Sequence, residues 1–217
     1  MDYPLRRHTE VLREVVAPLE GAIVDIGCGR GALAGWFRKQ GMNAVGIDPQ
    51  AALRPSIAAM AENLPLADES LDIALFFNSL HHVPVAMMDR AIAEASRVVQ
   101  AQGRIVVVEP LAEGRHFRLM QPLEDETGIR GHALAALRRA IGHGLRQTHE
   151  IHYDTHLVQT SLDEVIGHLL AADPQRAEKL HTVRESMECL YRELGTPCDQ
   201  GMVFNQPMRL NVLMKDG

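Results

Sequence analysis

VDIGCGRGALAG, residues 24–35, places three glycines within five positions directly after an apolar run. Glycine adopts positive φ angles and lets a ligand approach the backbone more closely than a Cβ atom would allow. A strand that runs into a glycine turn and then into a helix N-terminus can hold ligands on backbone groups. The stretch therefore predicts a strand, a ligand-binding turn and a helix, with Asp25 as a polar interruption of the strand.

The first half of the chain repeats this strand-to-helix pattern. Helical periodicity marks an opening helix within residues 1–20, with Leu5 on its apolar face, and further helices near residues 31–40 and 85–100. Because strands that alternate with helices need crossover connections, the fold class predicted is α/β, a doubly wound parallel sheet buried on both faces. The predicted strands are AIVDI (22–26), NAVGID (43–48), SIAAM (56–60), LDIALFF (71–77) and RIVVVE (104–109).

The second half is less regular. Residues 111–146 are polar with helical stretches, and they exceed a usual connection of about 2 to 6 residues, as lids often do. A strand is expected near residues 148–160, followed by helices at about 161–171 and 174–194. The C-terminal segment reads as a strand or hairpin, and Pro207 suits an edge better than a central position.

Composition limits the kinds of partner. The chain has 217 residues, of which 46% are hydrophobic, and a net charge of −6 with no long block of one sign. Nucleic acids and anionic membranes need clustered Lys and Arg, so a small molecule is the expected partner, without stable membrane insertion. The charged residues 1–20 do not resemble a signal peptide, and the three cysteines fit reduced thiols, so we expect a cytoplasmic protein.

Two classes of cofactor fit the glycine turn. Gly27, Gly29 and Ala32 satisfy the G-x-G-x-x-G/A pattern of dinucleotide-binding enzymes, and Asp48 lies where a carboxylate can accept ribose hydroxyls. Asp25 favours S-adenosylmethionine, because a carboxylate attracts the sulfonium and the α-ammonium of that cofactor but repels a pyrophosphate. A nicotinamide cofactor is not excluded by the pattern.

Three segments and one residue of the chain together resemble the class I S-adenosylmethionine-dependent methyltransferases. They are VDIGCGRG, Asp48, AENLPLADESLDIALFFNSLHHV (61–83) and EASRVVQAQGRIVVVEP (94–110), in the family's order and spacing. The greatest similarity is to the small-molecule branch related to ubiquinone and menaquinone biosynthesis enzymes, and it covers residues 20–110. The resemblance implies a Rossmann-like sheet of seven strands, mostly parallel, whose last strand is antiparallel.

The resemblance also implies roles for individual residues around S-adenosylmethionine. Met60 departs from the pattern, because this branch often has an aspartate there that accepts from the adenine amine. Asn63, Glu62 or a main-chain carbonyl would then replace it. The implied cofactor-binding residues are Asp25, Gly27 and Gly29 at the methionine part, Asp48 at the ribose, Ala61 and Glu62 at the adenine edge, and the backbone near Asn78 at the amino group.

Four side chains are candidates for the acceptor side of the site. His81 and His82 follow the fourth strand and Glu109 ends the fifth, on the rim where a parallel sheet opens its ligand crevice. An imidazole can act as a general base at neutral pH, so we list His81, His82, Glu109 and the insert residue His116 as candidate catalytic groups. No metal site is expected, because His152 and His156 would stand about 13 Å apart along a strand.

The sequence thus predicts one methyltransferase domain over residues 1–217. Its parts are an N-terminal helix (1–20), a cofactor-binding core (21–110), a lid insert (111–146) and a segment that completes the sheet (147–217). The predicted activity is methyl transfer from S-adenosylmethionine to an O, N or C atom of a small molecule. The alternatives are a nicotinamide-dependent oxidoreductase and a non-catalytic protein that binds the cofactor on the same fold.

Overall fold

The apolar runs of the first half form strands of one sheet in a computed structural model that describes residues 3–215. The strands are β1 (Ala22–Ile26), β2 (Asn43–Asp48), β3 (Ile57–Ala58), β4 (Leu71–Phe77), β5 (Val99–Pro110), β6 (Leu145–Gln159), β7 (Thr196–Cys198) and β8 (Gly201–Lys215). The helices are α1 (His8–Val16), α2 (Ala32–Lys39), α3 (Met88–Val98), α4 (Arg115–Met120), α5 (Thr127–Ala140), α6 (Leu162–Ala172) and α7 (Ala177–Leu194).

The strand order is β3-β2-β1-β4-β5-β8-β6, with β7 paired to β8 off this path. The pairs β1–β2, β1–β4, β2–β3 and β4–β5 are parallel, and β7–β8 is antiparallel. The predicted doubly wound α/β class is therefore confirmed, with seven strands along the path and β7 as an eighth among the described residues. Since parallel strands end at a common edge, the residues that follow β1, β2, β4 and β5 meet at one rim.

Two expectations about the ends of the chain are wrong. Pro207 lies in β8, which runs between β5 and β6 rather than at an edge. Proline has no backbone N–H to donate within a sheet, but its carbonyl can still accept. The Pro207 carbonyl accepts from Leu111 N–H at 2.8 Å. Leu5 lies before α1 and is exposed, because the chain there forms a β-bridge with Asp154 instead of a helical turn.

The described residues divide into two compact units. The first, here called the core unit, contains residues 7–109, 129–151 and 209–215. In it, α3 buries Ala91, Ile92 and Ala95 in a cluster with the inner residues of β1, β4 and β5. On α2, Phe37 is fully buried. Strands β1 and β4 are apolar along most of their length, because burial on both faces leaves few positions for solvent.

The second unit contains residues 3–6, 110–128 and 152–208. Its core consists of α4, α6 and α7 with Phe204 of β8. The segment after β5 is fastened to β8, since Gln206 Nε2 donates to the carbonyls of Leu111 and Glu113 at 3.0 and 3.3 Å. The start of the predicted lid is thus held by specific hydrogen bonds.

The predicted insert 111–146 is split by the fold. Its C-terminal helix α5 buries Ala133, Ala136 and Leu137 in the cluster of the core unit, so this half completes a hydrophobic core. Residues 111–128 belong to the second unit. A lid role stays a prediction for this first half. Among residues 3–215, no helix has the length and apolar character that a membrane crossing requires.

Gly46 of β2 leaves space for the side chain of Cys28. A Cβ atom on Gly46 would lie 2.7 Å from Cys28 Sγ and 3.1 Å from Cys28 Cβ. Gly46→Ala should therefore lower the free energy of unfolding by about 1 to 3 kcal/mol, because the core has no free volume there. Urea denaturation of the purified variant measures this change.

Adding Cys28→Ala should restore part of the lost stability, since it removes the 2.7 Å contact. Gly35→Ala is the control: its Cβ would meet only the end of Arg38 at 3.8 Å, and alanine favours the helix by about 0.5 to 1 kcal/mol. Equal destabilisation by Gly46→Ala with and without Cys28 would show that the contact does not explain the glycine.

Candidate functional site

The glycine turn after β1 is bonded to the end of the neighbouring strand. The N–H groups of Gly27 and Cys28 both donate to the carbonyl of Ile47, at 2.8 and 3.0 Å. Gly27, Gly29 and Gly31 have φ angles of 76°, 54° and 75°, a left-handed conformation that glycine adopts without strain and that most other residues avoid. The three-glycine pattern is therefore a conformational requirement of this turn.

The three glycines differ in what surrounds them. A Cβ on Gly27 would lie 2.4 Å from Cβ of Ser79, whose hydroxyl donates to the Ile26 carbonyl at 2.6 Å. Gly29 and Gly31 have no atom within 4 Å of such a Cβ. Gly27 is thus required by packing against Ser79, a residue that sequence reasoning missed, whereas the other two glycines border open space that a ligand can approach.

Asp48 ends β2 beside this turn and is 7% exposed. One carboxylate oxygen accepts from Gly29 N–H at 2.9 Å and the other accepts from Gln50 N–H at 2.8 Å. Each oxygen keeps a second lone pair for a ligand. Asp48 therefore fixes the turn as well as lying at the predicted ribose position.

Asp25 is a buried carboxylate, 3% exposed, beneath the same turn. Burial raises its pKa to about 7, a hydrogen bond from the Ala34 N–H opposes this rise, and the charge of Asp48 adds to it. Ala34 lies in the first turn of α2, so the carboxylate occupies the N-terminal end of that helix. Two acidic groups thus lie close together next to the glycine turn.

Cys28 has the character of a packing residue. Burial, followed by the charges of Asp25 and Asp48, raises the pKa of its thiol to about 11. A thiol is a poor nucleophile when it stays protonated at neutral pH. Cys28, Cys189 and Cys198 are all free thiols.

The predicted adenine segment is a turn after β3. Ala61 and Glu62 are half-buried, while Met60 is 56% exposed and its carbonyl accepts from Asn63 N–H. Beyond the turn, Arg97 of α3 donates to the carbonyls of Leu64 and Leu66 at 3.0 and 2.8 Å. The segment is therefore held by an arginine that lies far along the sequence.

Asn78 follows β4 in a left-handed conformation, with φ 51°. Its N–H donates to the Val108 carbonyl at 2.8 Å, and its side chain is exposed. Asparagine tolerates this conformation better than most residues. The backbone at the predicted amino-group position is thus fixed by pairing with β5.

His81 and Glu109 form a buried pair, each 2% exposed. Glu109 Oε2 contacts His81 Nδ1, and its Oε1 accepts from Leu80 N–H at 2.9 Å. His82 is exposed, with its ring centroid 4.0 Å from that of His81. The structure therefore brings His81, His82 and Glu109 together within the core unit. His116 lies in the second unit, where its Nε2 is 3.1 Å from Gln159 Nε2.

Comparisons with known proteins bear on the fold and on the class of protein. Residues 24–107, from the glycine turn into β5, match the family model described as a methyltransferase domain. No curated protein matches the sequence at a significant level. A solved structure of a candidate methyltransferase from Bacillus halodurans C-125 has a TM-score of 0.64 and 16% identity, and the match covers 97% of this chain and 99% of that one.

Two further solved structures share the fold. The 1,6-didemethyltoxoflavin-N1-methyltransferase of Burkholderia thailandensis, with bound S-adenosylhomocysteine, has a TM-score of 0.52 and 14% identity over 96% of this chain and 76% of that one. The [4+2]-cyclase SpnF has a TM-score of 0.60 and 19% identity over 95% and 79%. The fold is the Rossmann-like fold of methyltransferases, and the family match supports a methyltransferase.

Asp25→Asn tests the burial of the carboxylate. Because the pKa of Asp25 rises from 3.8 to about 7 on folding, the folded protein binds more protons than the unfolded chain between these values. The stability that this group contributes is therefore complete below about pH 4 and is lost as the pH rises to about 7. The stability of the variant relative to wild type should rise across this window and then level off, as measured by urea denaturation.

Asp199→Asn, at an exposed turn position, is the matched control, and its difference from wild type should not change with pH in this way. A pH-independent difference for Asp25→Asn would contradict the raised pKa.

Proposed function

We propose that the protein transfers the methyl group of S-adenosylmethionine to an O, N or C atom of a small-molecule acceptor. The observation that carries the proposal is the pair of buried carboxylates, Asp25 and Asp48, beside a glycine turn with open space at Gly29 and Gly31. The cofactor, when bound, supplies an activated methyl group on a sulfonium. A cationic ligand favours the ionised form of a carboxylate, so Asp25 has a physical reason to lie here.

The helix N-terminus favours this cofactor over a dinucleotide. A pyrophosphate binds dinucleotide-binding proteins at the N-terminus of the helix that follows the glycine turn. In this chain that position accommodates the carboxylate of Asp25, through the hydrogen bond from Ala34 N–H. A pyrophosphate there would lie against the carboxylate of Asp25, which already engages the N–H of Ala34.

The assignment of the residues that would hold the cofactor rests on the resemblance to class I methyltransferases. We assign Asp25, Gly27 and Gly29 to its methionine part and Asp48 to its ribose hydroxyls. Adenine would lie against Ala61 and Glu62, and the backbone at Asn78 would accept from the amino group. Among these, Asp48 has a double role, because it would bind ribose with the same carboxylate that fixes the Gly29 N–H.

On the acceptor side we assign His81 as a general base and Glu109 as its positioning residue. A carboxylate that accepts from Nδ1–H leaves Nε2 as the basic nitrogen of a neutral imidazole. His81 would then take the proton of an acceptor hydroxyl or amine as the methyl group is transferred. His82 and His116 are further candidates for contact with the acceptor.

The remaining parts of the proposal concern partner and compartment. The net charge of −6 without a basic block supports a small-molecule acceptor. Three free thiols support a reducing compartment, the cytoplasm.

Calorimetric titration tests the cofactor assignment. Wild-type protein should bind S-adenosylmethionine and S-adenosylhomocysteine but neither nicotinamide dinucleotide. Asp48→Ala should weaken binding by about 1 to 3 kcal/mol, because the ribose hydroxyls lose a charged acceptor. Asp72→Ala, which removes a carboxylate at the opposite end of the sheet that caps Ala22 N–H, is the control for general destabilisation. Binding of a dinucleotide alone would overturn the assignment.

Methyl transfer from labelled S-adenosylmethionine into a small-molecule cell extract tests the acceptor side. Glu109→Gln and His81→Gln should each reduce incorporation by about 10²-fold or more, the usual effect of losing a general base. Affinity for S-adenosylhomocysteine should stay within about twofold of wild type, and His143→Gln, at an exposed loop position, should leave incorporation unchanged. Wild-type rates in both variants would remove these residues from the mechanism.

A further inference from the structure

Arg209 of β8 is a nearly buried arginine, 7% exposed, that the functions assigned above do not use. Its Nε donates to Asn211 Oδ1 at 2.9 Å, and Asn211 in turn donates to Gln147 Oε1 and Glu150 Oε2 at 3.1 and 3.0 Å. Residues 209 and 211 lie on the same face of the strand. Arg209 is therefore held in one orientation through a neutral amide.

The two Nη groups of Arg209 have no partner among the described residues. No carboxylate of residues 3–215 lies within 4.0 Å of the guanidinium, and no further hydrogen bond reaches it. Among residues 3–215, Gln206 Oε1 is the side-chain polar atom that is both fully enclosed and without a partner. The unpartnered Nη atoms of Arg209 are therefore not fully enclosed. Up to four N–H donors of this guanidinium are thus left without a partner among residues 3–215.

Among the described residues, the charged side chains around Arg209 act on its guanidinium at a distance and form no ion pair with it. Glu109 and Glu150 attract the guanidinium at a distance, Arg138 repels it, and burial lowers its pKa. Glu109 uses one carboxylate oxygen for Leu80 N–H and the other for His81. Burying a guanidinium is costly unless an anion pairs with it.

Arg209 also lies close to the acceptor side. Strand β8 neighbours β5, and Arg209 stands two residues after Pro207, whose carbonyl accepts from Leu111 N–H. Glu109 stands two residues before Leu111 on β5. The guanidinium is therefore near the end of β5 that carries the Glu109–His81 pair, in agreement with the attraction by Glu109.

We propose that Arg209 binds a carboxylate group of the methyl acceptor, which makes the acceptor an anionic small molecule. This inference rests on the proposed methyltransferase function. Arg binds carboxylates with two parallel N–H···O bonds, and two Nη groups on one side of a fixed guanidinium offer that geometry. The carboxylate would supply the contact partner that Arg209 lacks, and it would anchor the acceptor beside His81.

Benzoate is the probe for this site, with benzamide as its uncharged counterpart. Protein saturated with S-adenosylhomocysteine should bind benzoate in a calorimetric titration, and benzamide at least about tenfold more weakly. The ¹⁵Nε–¹Hε resonance of Arg209, assigned with Arg209→Lys, should shift on addition of benzoate. Arg209→Gln should reduce benzoate affinity about tenfold or more, whereas Arg138→Gln, at the exposed neighbouring arginine, should keep it within about twofold.

Several results would overturn the proposal. They are equal affinity for benzoate and benzamide, an unshifted Arg209 resonance at saturating benzoate, or undiminished benzoate affinity in Arg209→Gln. If Arg209→Gln does not fold, the wild-type resonance and Arg209→Lys decide, since lysine keeps the charge but loses the two-bond geometry. Binding of S-adenosylhomocysteine is measured first in each sample. If it does not bind, the cofactor assignment has failed, and benzoate is titrated into cofactor-free protein to test the anion site separately.

Discussion

The hydrogen bond from Gly29 N–H to the carboxylate of Asp48 joins the two strands on which the candidate site depends. The turn after β1 has few side chains of its own, so its shape comes from backbone groups bonded to the end of β2. Ile47 accepts two N–H groups of the turn, and Asp48 accepts a third. Since these bonds need both strands in register, the turn is formed only when β1 and β2 have paired. The site is thus a consequence of sheet assembly rather than of the local glycine motif alone.

The electrostatics of the turn follow from the same arrangement. Asp25 and Asp48 are brought close by the pairing of their strands, and burial makes both charges costly. The helix N-terminus that follows the turn reduces the cost for Asp25 through Ala34 N–H, without returning its pKa to the ordinary value. A cationic ligand would reduce the remaining cost, and an anionic one would add to it. This asymmetry discriminates between cofactor classes that share the glycine pattern.

Local sequence patterns predicted those strands and turns that are determined by neighbouring residues in the chain. Apolar runs gave β1, β2 and β4 close to their observed ends, and the glycine spacing gave the turn with its positive φ angles. Ser79 escaped prediction because its reason, contact with Gly27, joins residues 52 positions apart. The interior place of β8 escaped because Pro207 was interpreted by its missing N–H alone. The role of Arg209 was not predicted either, since the sequence of an apolar strand does not show which residues will surround an arginine within it.

The fold leaves the reaction open, as the shared architecture of methyltransferases and a [4+2]-cyclase illustrates. What selects a reaction is the chemistry at the rim, where β1 and β2 contribute carboxylates and β4, β5 and β8 contribute His81, Glu109 and Arg209. A cationic donor suits the first group. The second group combines a buried imidazole with a guanidinium, so the proposed acceptor, with an ionisable proton and a carboxylate, would satisfy each of them. Because Glu109 contacts the imidazole of His81 and also attracts the guanidinium of Arg209, the two groups that would hold such an acceptor share one carboxylate.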